Sequence, residues 1–152
     1  MGFLSSADET HLRNRFDTEL TNPVRVLLFT EPAGGLYVPG RRECRTCADT
    51  EALMAEVAGL SENIRLEIIN VPSAPDVAAE WDVSLTPTIA VCRESDQGVR
   101  FVGLPGGYEF TSFVETLIST GADGGSHLAH ETLERLATLS AAIDIKTFIT
   151  PT

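Results

Sequence analysis

The order of apolar patterns along the 152 residues predicts an α/β fold in which a mixed central sheet is flanked by helices. Two observations carry the prediction. As far as Trp81, short β-branched and apolar runs alternate with helical stripes in the order strand, helix, strand, helix. Two further strand-like runs then flank a short polar link at 94–98 containing Asp96 and Gly98, which makes an antiparallel hairpin, and a strongly periodic helix follows.

Ser6 followed by Glu9 has capping-box spacing, and Leu12, Phe16 and Leu20 recur at i, i+4 and i+8. Residues 6–20 therefore read as an amphipathic helix, ended by Asn22-Pro23. Residues 24–29 (VRVLLF) form a run short enough for a buried strand. The loop after it, roughly 13 residues with Pro32, Gly34, Gly35, Pro39 and Gly40, is long for a connector. Leu53, Val57 and Leu60 then make one helical stripe, on a helix that begins near Cys44 or Cys47. Residues 64–71 alternate as a second strand, and Pro75 stands where a short helix carrying Val77, Ala78 and Trp81 starts. Residues 88–92 and 99–104 are the hairpin strands, and Phe110, Phe113, Val114, Leu117 and Ile118 mark the clearest helix. Beyond a flexible break at 121–126 (GADGGS), Leu133, Leu136 and Ala137 mark another helix, and residues 143–150 read as a further strand. That last segment echoes the first strand, because VRVLLFTEP at 24–32 aligns without gaps to IDIKTFITP at 143–151, sharing Phe29 with Phe148 and Pro32 with Pro151.

The 22 acidic residues against 11 basic ones give a net charge of −11, which disfavours nucleic acid and anionic lipid as partners. Lys146 is the one lysine among the basic residues; such a surface suits a salt-adapted, halophile-like cytoplasm, with plain solvation as the simpler account. No apolar run approaches the ~20 residues of a membrane span, and the N-terminal residues lack a secretory pattern, so a soluble protein is expected. Three cysteines make no disulfide scaffold, and the odd count points to an intracellular, cytoplasmic thiol protein.

Cys44-Arg45-Thr46-Cys47 is a C-x-x-C motif between a strand and a helix, the context of a redox pair. A helix N-terminus presents unpaired N–H groups and a positive dipole, and Arg41, Arg42 and Arg45 add charge, all of which favour a thiolate. The spacing also puts the second thiol where it resolves a mixed disulfide formed by the first. Zinc binding and an inert pair are the competing readings. His127-x-x-His130, the only partner for a zinc site, lies 80 residues from Cys47, far outside finger spacing. Cys92 reads as a buried core residue, and Trp81, Phe110 and Phe113 as core aromatics. Met1-Gly2 with Ser6 matches a myristoylation pattern only formally, and Gly34-Gly35 lacks the context of a phosphate loop.

CRTC after a strand, LTPT at 85–88 and VRFVGLPGGYEFTSFVETL at 99–117 together resemble the glutaredoxin-like protein disulfide oxidoreductases, whose chains hold two tandem thioredoxin-fold units. The resemblance covers roughly residues 5–152 and is most specific at GLPGGYEF, 103–110. It implies a thioredoxin-like fold over residues 1–120, with an extra N-terminal helix. Residues 121–152 are then a linker helix and an orphan strand that starts a second unit, whose C-x-x-C this chain lacks. It also implies Cys44 as nucleophile, Cys47 as resolving thiol, and Pro87 as the cis-proline facing them. Thr86 beside Pro87 offers its backbone to substrate, with Arg45 and Thr46 as further contacts. The family's connection between strand and motif is shorter than residues 30–43, so an insertion is expected there.

The function so implied is thiol-disulfide exchange with protein disulfides, recycled by an external reductase or thiol, with no cofactor and no metal. Glu67 on the second strand is one candidate proton acceptor for Cys47. The alternative is a redox-inactive docking or dimerisation module, in which the long loop covers the cysteines. Its orphan strand either docks back, pairs with a second copy as a homodimer, or stays disordered.

Overall fold

The computed structural model describes residues 2–32, 44–123 and 128–149. The expected insertion, with Gly34, Gly35, Arg41 and Arg42, lies largely outside them, as do His127 and Pro151.

Helix α1 (Ser6–Glu19) begins where the sequence places it, but Ser5 and not Ser6 is the cap. Ser5 Oγ accepts the Asp8 N–H at 3.2 Å while the Asp8 carboxylate accepts the Ser5 N–H at 3.3 Å. The incoming chain decides this register: the Phe3 and Leu4 amides donate to the Glu56 carboxylate at 2.9 and 3.0 Å, holding Ser5 at the helix entry.

Strand β1 (Val24–Thr30) lies between β2 (Ile64–Asn70), to which it is parallel, and β3 (Thr88–Cys92), to which it is antiparallel. β4 (Arg100–Val102) pairs antiparallel with β3, giving the sheet order β2-β1-β3-β4. β4 is shorter than its apolar run at 99–104, since Gly103, at φ 107°, turns the chain out of the ladder. The parallel pair requires a crossover, supplied by α2 (Cys47–Ala58). A second connection runs through α3 (Pro75–Glu80), with Pro75 in its first turn, and α4 (Tyr108–Gly121) follows the hairpin.

Strand periodicity divides the core in two. Val24, Val26 and Leu28 pack with Leu12 and Phe16 of α1, Leu53, Met54 and Val57 of α2, and Phe113 and Leu117 of α4. Leu27 and Phe29 face the other way, onto Ala78 of α3, Ala90 and Cys92, with Trp81 and Val83 at the margin. Arg100 lies over the Trp81 ring at 5.2 Å, donates to the Trp81 carbonyl at 3.1 Å and pairs with Asp96, so it clamps the end of α3 to the hairpin.

α5 (His130–Ala137) forms where the leucine stripe predicts a helix, yet none of its residues is buried. The strand expected over 143–150 is not formed. Residues 142–149 join no sheet, and Ile145 and Phe148 are 84% and 91% exposed. β-propensity alone does not make a strand, since its stability lies in cross-strand pairs and a covered face, both absent here.

Gly121 closes α4 against the turn into β1. A Cβ there would meet Leu20 Cδ1, and the Asn22 carbonyl oxygen and Val24 Cγ2 at 2.9 Å each. Gly121→Ala is therefore expected to cost about 1–3 kcal/mol of stability, read as a lower urea midpoint at unchanged slope. An unchanged midpoint would mean that α4 moves off the turn freely.

Cys92 is fully buried, and burial raises its thiol pKa above the ordinary 9.0. It should resist alkylation at pH 8 in the native chain and react once the chain is unfolded. The folded state keeps this thiol neutral, so its contribution is full below about pH 9 and is lost as pH rises and the unfolded chain ionises. A urea midpoint that falls between pH 8 and 10 less steeply in Cys92→Ala than in the native chain is the expected result.

Candidate active site

The C-x-x-C motif stands at the head of α2. Thr46 is the N-cap, at φ −112° and ψ 1° with no side-chain cap bond, and Cys47 is the first helical residue. The Thr46 carbonyl accepts both the Thr50 N–H at 2.9 Å and the Thr50 hydroxyl at 2.7 Å, which anchors the first turn. Cys44 and Cys47 are joined by a disulfide with their Cα atoms 5.6 Å apart. The environments of the two sulfurs differ. Cys47 is only 1% exposed, whereas Cys44 is half-buried at the surface and Arg45 beside it is exposed.

Facing the disulfide is the loop that enters β3. The Thr86–Pro87 peptide bond is cis. Pro87 is buried and its carbonyl accepts the Gly103 N–H at 2.8 Å, while the Leu85 carbonyl accepts the Thr88 hydroxyl at 2.7 Å. Thr86 precedes the first residue of β3, so its backbone lies beyond the sheet ladder. Between loop and motif runs a cleft of about 650 Å³, lined by Cys44, Arg45, Thr46, Thr86, Pro87 and Glu31 among others. Cys44, Arg45 and Thr46 thus form one wall and Thr86 and Pro87 the other, while Cys47 lies buried behind Cys44, to which it is bonded.

Glu31, which by sequence alone falls inside the long loop, belongs to this site. Its N–H donates to Cys47 Sγ at 3.4 Å, and its Oε1 accepts the Thr86 hydroxyl at 2.7 Å. A usable signal was present, since the residue just past the carboxyl end of a central strand is where α/β sheets present functional groups. Glu67 is not at the site. It pairs with Arg25 at 2.9 Å and stands opposite Leu27 on the α3 side of the sheet, about 10 Å short of the end of β1. Beneath the motif, the Thr30 hydroxyl is buried without a hydrogen-bond partner among the described residues.

The described residues contain no group of three or more His, Cys, Asp or Glu arranged to hold a metal ion, and His127 lies outside them. His130 is exposed on α5, 3.3 Å from Glu134. Among the described residues no helix is long and apolar enough to cross a membrane.

No family model matches this chain, and no curated protein does. Solved structures do. The alkylhydroperoxide reductase component AhpF of Enterococcus faecalis V583 superposes with a TM-score of 0.75 at 20% identity, over 90% of this chain and 61% of that one. A protein disulfide oxidoreductase from Aeropyrum pernix K1 gives 0.72 at 29% identity, over 89% of this chain and 55% of that one. A mutant thioredoxin from Halobacterium salinarum gives 0.51 at 17% identity, over 72% and 84%. This chain therefore spans only 61% and 55% of the two longer neighbours. The likeness reaches across nearly the whole of its own length, and the chain has the thioredoxin-like fold.

Proposed function

We propose that this chain is a thiol-disulfide oxidoreductase that acts on protein disulfides through Cys44 and Cys47. The observation that carries the proposal is the oxidised pair itself, with its outer sulfur on a cleft and its inner sulfur buried. In the reductive direction the Cys44 thiolate attacks a substrate disulfide, a Cys44–substrate bond forms, and one substrate thiolate leaves. Cys47 then attacks Cys44 Sγ, the second substrate sulfur leaves as thiolate, and the Cys44–Cys47 disulfide remains. An external reductase or thiol returns two electrons and two protons. Run backwards, the same steps oxidise a substrate dithiol.

Thr86 and Pro87 are the backbone site for an extended substrate strand, for which the position of Thr86 beyond the β3 ladder is the support. Arg45 and Thr46 contact substrate from the other wall of the cleft. Arg45, together with the amino end of α2, favours a thiolate on Cys44. The reading includes a cytoplasmic setting, in keeping with a free Cys92 in the core beside a redox pair, and an acidic, salt-adapted surface. Residues 121–152 are read as a linker helix and the start of a second unit, supported by the echo of β1 and by the greater length of the neighbours.

The test is thiol alkylation with mass readout across graded glutathione and dithiothreitol buffers. Cys44 and Cys47 are expected to cycle together at a potential between about −120 and −270 mV, and neither to cycle in Cys44→Ser or Cys47→Ser. Absence of a paired transition in the native chain would sink the oxidoreductase reading.

The exposed leucines of α5, with Ile145 and Phe148, favour a second reading in which this segment joins two copies. Sedimentation at low and high salt should then find a dimer that becomes a monomer when residues 124–152 are removed. A monomeric full chain would rule the dimer out.

A further inference from the structure

Among the described residues, the buried side-chain oxygen left without a hydrogen-bond partner is the Thr30 hydroxyl. Its place in the fold shows what it faces. Val24, Val26 and Leu28 of β1 pack on Leu53, Met54 and Val57 of α2, and Thr30, the next residue of that parity, extends the same side of the strand. The buried stripe of α2 starts with Cys47 and Thr50, so the end of β1 meets the first turn of the helix. The Glu31 N–H, on Cys47 Sγ at 3.4 Å, fixes the sulfur at that end. A threonine hydroxyl lies about 3–5 Å from the nitrogen of the following residue, so hydroxyl and sulfur are neighbours across one peptide group. The other buried hydroxyls around the motif are engaged: Thr50 donates to the Thr46 carbonyl and Thr88 to the Leu85 carbonyl, each at 2.7 Å.

A buried hydroxyl with no partner is costly, and one that persists calls for a reason. The oxidised pair supplies no partner, because Cys47 Sγ is bonded to Cys44 and has neither an S–H to donate nor a charge to attract. Reduction changes this. A thiol donates, a thiolate accepts, and a hydroxyl does both. We infer that Thr30 sets the redox equilibrium of the pair: on reduction Cys47 Sγ, released from Cys44, takes the Thr30 hydroxyl as its hydrogen-bond partner. The inference rests on the exchange reaction proposed above and concerns its equilibrium. A thiol reductant supplies two electrons and two protons, the Cys44–Cys47 bond breaks, both sulfurs become thiols, and the reductant becomes a disulfide. The hydroxyl exchanges no atom in this step. Orphaned in the oxidised state and bonded in the reduced one, it favours the dithiol and raises the potential of the pair.

The test is the equilibrium of the full chain with graded glutathione and dithiothreitol buffers at fixed pH, quenched in acid, alkylated and read by mass. Thr30→Val, which keeps the shape and removes the hydroxyl, should shift the equilibrium toward the disulfide about tenfold, a potential ~30 mV lower. Thr30→Ser, which keeps the hydroxyl, should stay near the native value. Urea unfolding supplies the second measurement: Thr30→Val should lower the midpoint of the reduced chain relative to that of the disulfide form, which loses no bond. A native potential in Thr30→Val, or one in Thr30→Ser as low as in Thr30→Val, would overturn the inference. So would equal midpoint changes in the two redox forms, since the hydroxyl would then have the same partner in both. A native chain with no paired transition would instead overturn the exchange reaction on which the inference rests.

Discussion

Everything in this protein hangs from one strand. β1 is paired along both edges and covered on both faces, so six of its seven residues are buried and even its last side chain, Thr30, is enclosed. A strand so placed can neither shift by one residue nor bend without moving both halves of the core, because each such slip would exchange Leu27 and Phe29 with Val26 and Leu28 across the sheet. Its carboxyl end is therefore the most rigid origin available, and the site is assembled there. β3 fixes the Thr86-Pro87 loop from one side, α2 carries the disulfide on the other, and Glu31 continues from β1 between them.

In the proposed exchange the two cysteines face opposite demands, and the placement of the motif across the start of α2 meets both. Cys44 must be reached from outside and Cys47 must be kept from solvent yet remain able to attack. Placing the second sulfur at the first position of α2 buries it, while the first stays half-buried on the cleft. Burial keeps the inner sulfur from solvent, and the polar group placed against it is the Glu31 N–H at 3.4 Å.

Where local pattern and tertiary neighbours agreed, the fold was legible in the residues. The run at 24–29 read as a buried strand, Pro75 opened α3, and the five apolar positions from Phe110 to Ile118 drew α4. The motif and LTPT likewise pointed to the two walls of the cleft. What failed depended on contacts distant in sequence. Ser5 displaced Ser6 as the cap because Glu56, on another helix, holds the chain before it. Glu31 looked like a loop residue because nothing local announces a hydrogen bond to Thr86, 55 positions away. Glu67 looked eligible by charge, and only the register of β2 against β1 shows it paired with Arg25, away from the cysteines.

The echo of β1 at residues 143–149 has a bearing on how the chain folds. Two segments of similar pattern compete for one slot between β2 and β3, and a wrong choice would trap the chain. In the gapless alignment Lys146 falls on Leu27, a buried position, and Asp144 falls on Arg25, whose guanidinium pairs with Glu67. Seating the later segment would put the Asp144 carboxylate where Arg25 now pairs with Glu67, like charge against like, and would replace a buried leucine by lysine. The two charges, paired with each other at 3.0 Å and exposed, are thus ones that the slot between β2 and β3 accommodates less well than the residues of β1.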